Sequence, residues 1–295
     1  MDREIVVQRS SARRSEKKRP GEGMRAGGRF TRTAIAATLV YIAIFMTIIV
    51  LRANSELNQA RARAMSGATA AAQETAASLN TVVARADGAL RAAAQLEANG
   101  ASADAALNGA IERATGIQSV ILSNGRSASG GPVLDPNLVR ALAAAKDGAP
   151  VFGGVREPNG KRQDVIALHR KLSRNRIAVA LIAPAPILAP LAAHGRVYIA
   201  DPKALDADLG LHNTATQANA RMMSLKDGER NIVAAAPLAS QQLAVALHLP
   251  AADLAYNERR TVGVYTMLLA GTGLAGLVLC GVFFAQGSRM RRTEE

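Results

Sequence analysis

The sequence predicts an α+β protein in which two transmembrane helices flank an extracytoplasmic region built from one long helix and antiparallel sheet. Three observations predict it. Uncharged apolar stretches fill 33–51 and 261–288, close to the two ends of the chain. Residues 53–98 are Ala-rich and contain no Pro. Beyond them, short apolar runs alternate with turn residues, the pattern of strands.

Taken in order, residues 1–32 form a basic arm, expected to be disordered and cytoplasmic. Ten of the chain's 36 Lys and Arg lie there, among them Arg13, Arg14, Lys17, Lys18, Arg19, Arg25, Arg29 and Arg32. The net charge of +13 would suit a nucleic-acid binder, but the charge is concentrated at the ends and aromatic residues are 3% of the chain, too few to stack bases. No nucleic-acid partner is expected. A first span is assigned to 33–52 and a second to 261–285. Each reaches the ~20 apolar residues that a ~30 Å hydrocarbon core requires. The apolar core of the first is too long for a cleaved signal peptide, and Arg52 follows at once. Basic residues flanking spans stay inside, so both termini are expected in the cytoplasm and the central region outside. The N-terminal cluster outweighs Arg52, Arg259 and Arg260, which oppose the rule locally.

The second span contains GTGLAG, which matches a dinucleotide fingerprint in letters alone. That fingerprint needs a strand, a phosphate-binding turn and a helix in water, and none can form in a lipid-spanning helix. Gly271 with Ala275 and Gly276 with Cys280 instead give small residues at four-residue spacing, suited to a span–span or dimer contact. Cys280, the single cysteine, is read as a packing residue; it excludes a disulfide framework within the chain.

Residues 53–98 read as a long helix, continuous or nearly so with the first span and ~70 Å in length. Met65, Ala68, Ala72, Thr75, Leu79, Val83, Ala86 and Leu90 recur at three- and four-residue steps, a seam for packing against the adjacent domain or a second copy. Ser102 could cap a short helix to about Thr115. Strand-like runs follow at IQSVIL (117–122), VFGGV (151–155), DVIALH (164–169) and RIAVALIA (176–183), with helices at 136–146 and after Pro186. The Asn-Gly pairs at 124–125 and 159–160 suit tight turns, the second closing a hairpin. RVYIAD (196–201), ERNIVAAAPL (229–238) and QLAVALHL (242–249) form a second set, with 201–226 loop-like between them and a helix from Pro250 into the second span. The expected architecture is antiparallel sheet with helices on one side.

The series of the long helix, IQSVILSNGR, a helix, PVFGGV, a hairpin to DVIALHRKL, and RIAVALIAPAPILAPL leading into GRVYIADPKA resembles the extracytoplasmic Cache (PAS-like) sensor region of bacterial sensor histidine kinases and chemoreceptors. NIVAAAPLASQQLAVALHLPAADL resembles the closing strands of a second, reduced PAS-like module. The resemblance covers most of 53–258 and rests on the order of elements. It implies a membrane-distal module at 99–195, a reduced membrane-proximal module at 196–258, and a small-molecule pocket in the distal one. It also implies transmission through both spans and a homodimer. The Tyr–Arg–aromatic–Asp signature used for amino acids is not recognisable, so the resemblance carries no ligand class.

Catalytic chemistry is not legible. His169, His194, His212 and His248 have no metal-ligand partner at helical spacing, and neither a phosphoacceptor helix nor a Walker or G-x-S-x-G motif occurs. No metal, cofactor or catalytic residue is assigned. Candidate ligand contacts come from the strand faces of the distal module. Alternation puts Val165, Ala167 and His169 on one face and Ile166, Leu168 and Arg170 on the other, with Arg156 ending the preceding strand. Arg156, His169 and Arg170 would suit an anion such as a carboxylate. The tail 286–295 is too short for an output domain, so signalling is expected through a longer protein or a separate cytoplasmic kinase or other partner. A two-span envelope assembly or scaffold protein is the alternative; the lack of Pro in the second span counts against it.

Overall fold

The computed structural model describes residues 22–100, 102, 117–123, 126–127, 132–157, 160–172, 176–224 and 230–292. The basic residues at 13–19, the helix expected after Ser102 and the Asn124-Gly125 turn lie outside them. The chain divides into two compact units, Leu57–Glu258 and Met1–Glu56 with Arg259–Glu295.

Helix α1 runs unbroken over Glu22–Ala98, so the first span and the long helix expected after it are one element. Nothing in the sequence interrupts it: Pro is absent, and Gly67 and Gly88 each cost only ~1 kcal/mol relative to Ala. It ends at Asn99-Gly100, where Gly100 takes a left-handed φ of 86°.

Among the described residues ten strands follow, in two antiparallel sheets. The first holds β1 (Ile117–Ser123), β2 (Arg126–Ser127), β3 (Val133–Leu134), β4 (Val151–Arg156), β5 (Arg162–Lys171) and β6 (Arg176–Ile182), in the order β2-β1-β6-β5-β4-β3. The second holds β7 (Arg196–Ala200), β8 (Asn219–Ser224), β9 (Arg230–Pro237) and β10 (Ala244–Pro250), in the order β7-β10-β9-β8. The hairpin expected around Gly160 forms, with β4 and β5 paired from Arg156↔Arg162 to Val151↔Ala167. Helix α2 (Pro136–Ala144) stands between β3 and β4, α3 (Ala185–Ala192) between β6 and β7, and α4 (Pro202–Leu209) between β7 and β8. Helix α5 (Ala252–Arg292) closes the described chain.

Two expectations are corrected. Helices cover both faces of each sheet, not one. The inner strands β5, β6, β9 and β10 carry near-continuous apolar runs because both of their faces are buried. Ile166, Leu168, Ala178, Ala180 and Ile182 of the first sheet and Ile232, Ala234, Val245 and Leu247 of the second share one core with Ala68, Ala72, Leu79, Ala86 and Leu90 of α1. On its other face the first sheet packs Val155, Val165, Ala167, Val179 and Leu181 under Leu138 and Leu142 of α2. The second packs Val233, Ala235, Ala244 and Ala246 under Leu205 of α4.

The second correction concerns 201–226, which holds a helix and a strand and is not loop throughout. Asp201 caps α4 by accepting from the Lys203 N–H at 2.9 Å, Pro202 takes the first turn, and Gly210 ends the helix with φ 59°. In β8, Ala220 and Met222 pack on the shared core and Met223 on the α4 side, an alternation hidden by the polar residues around it.

The helix seam packs against its own domain. Ala68, Ala72, Thr75, Leu79, Ala86 and Leu90 are buried, while Met65 and Val83 are half-buried. Alanine on both partners lets the helix approach the sheets closely. The leucines supply the larger apolar area, ~1.5–3 kcal/mol for each fully buried side chain.

In the smaller unit, the apolar parts of α1 and α5 are long and apolar enough to cross a membrane, with mean hydropathy 2.7 and 2.1 over their most apolar stretches. Leu39, Val40, Phe45, Leu274, Leu277 and Phe284 are exposed along them, which water would penalise and a hydrocarbon layer would not.

Candidate functional site

Strand β5 divides the predicted ligand residues. Its alternation is as the sequence dictates, with Val165, Ala167 and His169 toward α2 and Ile166, Leu168 and Arg170 toward α1. His169 is 3% exposed and opposes Val179 in the register. Its Nε2 lies 3.3 Å from Asp147 Oδ1, in the turn between α2 and β4. Burial holds its pKa below the ordinary 6.5; Asp147 opposes that shift, and Lys171 and Arg170 add to it. The ring is therefore neutral near pH 7. An ionised carboxylate only accepts, so the tautomer that suits Asp147 carries its proton on Nε2. Nδ1 is then a buried acceptor, with no hydrogen-bond partner among the described residues.

Arg170 points the other way, and its guanidinium donates to Asp87 of α1 at 3.0 Å. Arg156 is exposed and pairs in register with Arg162, at the far end of the hairpin. At ~3.4 Å per residue it is about 24 Å along the strand from His169. The structure does not bring the three together. On the α2 face of the first sheet, Leu138 and Leu142 fill the space. A β-carbon on Gly153 would lie 2.9 Å from Leu138 Cδ1, so α2 rests directly on the strand.

A cleft of about 480 Å³ opens where the two sheets adjoin. Ala141, Ala144 and Ala145 from the end of α2 and Val151 and Phe152 from β4 form one wall, with Ala200, Asp201, Gln242 and Leu243 opposite. Its lining is largely apolar, and Asp201 is its charged member. Both sequence-defined modules contribute to it.

Polar contacts tie α1 to both sheets at four levels. Arg61 donates to Glu258 Oε1 at 2.6 Å, and Arg230 at the start of β9 donates to Oε2 of the same carboxylate at 2.8 Å. Asn80 Oδ1 accepts from the Ala239 N–H at 2.8 Å, in the β9–β10 turn. Asp87 takes both Arg170 and Arg91. Glu97 pairs with Arg176 of β6. The carboxylates of Glu97, Glu258 and Asp87 are mostly shielded, so these ion pairs are stronger than surface ones. Sequence reasoning singled out Arg170 but none of its partners. The signal present was the isolated acid beside the seam, Asp87 next to Ala86 and Glu97 near the helix end.

On the second sheet, Tyr198 Oη lies 3.0 Å from His248 Nε2. Burial raises the tyrosine's pKa, with Asp208 adding to it, and lowers the histidine's, with Arg196 adding to it. Among the described residues no group of His, Cys, Asp or Glu is placed to hold a metal ion.

In the smaller unit, a β-carbon on Gly276 would collide with Ile42 Cδ1, and one on Gly273 would lie 3.3 Å from Met46 Cε. The two apolar helices thus touch at α5 glycines. Gly271 and Ala275 line an open groove beside that contact with Tyr41, Phe45 and Met267, and Cys280 is half-buried.

No family model matches the sequence, and no curated protein matches it. Solved structures do. The periplasmic sensory domain of the Campylobacter jejuni chemoreceptor Tlp1 matches with a TM-score of 0.45 and 8% identity, over 66% of this chain and 98% of that one. The ligand-binding domain of Mlp24 with asparagine gives 0.41 and 13%, over 70% and 99%. The extracellular domain of rpHK1S-Z16, described as a candidate histidine kinase, gives 0.36 and 12%, over 69% and 96%. The structural neighbours of this chain are thus sensory and ligand-binding domains of chemoreceptors and histidine kinases.

Proposed function

We propose that the chain is an inner-membrane sensor module of bacterial signal transduction, of the two-component histidine-kinase type. Residues 33–52 and 261–285 span the bilayer, both termini are cytoplasmic, and 53–258 is periplasmic, with a distal module at 99–195 and a proximal one at 196–258. The module detects a small molecule or an envelope state and passes it inward as a shift of the second span against the first. The observation that carries this reading is the role of α1 and α5. Helix α1 is the common wall of both sheets and continues into an apolar segment, while α5 follows β10 after a single residue. Glu258 joins both to β9.

The ligand site on this reading is the cleft between the sheets, because an occupant there touches α2, β4 and the β9–β10 turn at once. Arg170 serves as a coupling residue between the first sheet and α1. A helical scaffold is the rival; ten strands and a cleft between two sheets favour the sensor.

The test uses the full chain in lipid nanodiscs, with Ile42→Cys and Gly276→Cys beside each other in a Cys280→Ser background. A screen of small polar metabolites should find a compound that raises the melting temperature and changes the rate of disulfide formation. Ala144→Trp, which fills the cleft, should abolish both effects. No stabilising compound, or one whose effect Ala144→Trp leaves intact, overturns the proposal.

A further inference from the structure

The turn between α2 and β4 touches both faces of β5. On the α2 side, Asp147 lies 3.3 Å from His169 Nε2, and the Gly148 N–H donates to the His169 carbonyl at 2.9 Å. On the α1 side, Gly148 abuts the Asp87–Arg170 bridge. Its φ is 78°, and a β-carbon there would lie 2.9 Å from Asp87 Oδ1 and 3.3 Å from Arg170 Nη2. The Lys146–Ala149 turn within it is thus wedged between a buried histidine and the ion pair that fastens the first sheet to α1.

That packing favours the neutral imidazole over the cation. Protonation would add an N–H at Nδ1, which has no hydrogen-bond partner among the described residues. Asp147 faces the opposite nitrogen. Among the described residues the other charges acting on the ring are Arg170 and Lys171 of its own strand, both positive; Lys146 precedes Asp147 in the turn, and Val179 opposite is apolar. Across the sheet, Asp87 is already engaged by Arg170 and Arg91. The charged ring can be hydrated only by leaving its pocket, and the turn covers that pocket.

We propose that the turn is a proton-operated latch, in which protonation draws the His169 ring out of its pocket toward Asp147, displaces Gly148 and loosens the Asp87–Arg170 clasp on α1. The signal read is periplasmic acidification. The device needs no ligand in the cleft, so it stands or falls separately from the ligand reading above.

The experiment is distance measurement between spin labels on exposed positions of α1 and α2, Ala92→Cys and Ala143→Cys, in full-length Cys280→Ser protein in nanodiscs without added ligand. Between about pH 7.5 and about pH 5 the distance distribution should broaden reversibly, with a midpoint below the ordinary 6.5 of histidine. His169→Gln should abolish the transition, and His248→Gln should leave it in place. Asp147→Asn, which removes the charge favouring the imidazolium, should move the midpoint to lower pH. An unchanged distribution in the parent protein overturns the latch. So does a transition that persists in His169→Gln, or a midpoint that Asp147→Asn leaves where it was. If His169→Gln is unfolded by circular dichroism, the Asp147→Asn shift decides alone.

Discussion

Asp87 and Arg170 are mostly shielded charges that answer each other from 83 residues apart in sequence. Removing one leaves the other partly desolvated and unpaired, which costs about 1–3 kcal/mol for a polar group and more for a charged one. Asp87→Ala and Arg170→Ala should each lower stability by that order. The double variant should lose less than their sum, and a urea-denaturation cycle would measure the coupling. Gly148→Ala should destabilise by at least ~1 kcal/mol, since it imposes a left-handed φ on a β-carbon that also presses on Asp87. His169 and His248 both have folded pKa values below the unfolded 6.5, so the unfolded chain binds more protons as the pH falls. Their stabilising contribution is complete above about 6.5 and declines as the pH drops below it. Denaturation midpoints at successive pH values should show that decline, and His169→Gln with His248→Gln should flatten it.

Helix α1 shows how far periodicity reaches at the scale of elements. The spacing of Ala68, Ala72, Leu79, Ala86 and Leu90 marked a buried stripe, and those residues are buried. The spacing does not say what the stripe meets, because a seam of small residues fits a sheet as well as another helix. The strands were legible for a related reason: runs such as VIAL and AVALI are too short for a helix core and bounded by turn residues. β8 was not legible, because Asn219, Arg221 and Ser224 interrupt its apolar positions. Leu79 is fully buried between helix and sheets, so Leu79→Ala should cost ~2–5 kcal/mol, read from the denaturation midpoint. Leu96→Ala, on the exposed side of the same helix, should change it little.

For the whole molecule, the expected arrangement is a periplasmic domain held by two spans. A cysteine introduced at exposed Ser78 in a Cys280→Ser background should react with an impermeant maleimide from outside intact spheroplasts. Labelling only after lysis would reverse the orientation. Within the span pair, Gly276→Leu should push the helices apart at Ile42, at ~1–3 kcal/mol, and slow disulfide formation between neighbouring reporter cysteines. Gly271→Ala meets nothing within 4 Å and should be neutral.

The sequence by itself determined the two apolar helices, the buried stripe of α1 and most of the strands, because each depends on the character and spacing of near neighbours. Tertiary structure alone decided that the strands make two sheets covered on both faces. It also decided that His169 and Arg170, adjacent in the chain, serve opposite sides of β5. Asp147, Asp87 and Glu258 became informative only when folding brought their partners to them. Charge pairing between distant residues leaves no periodic trace in a sequence.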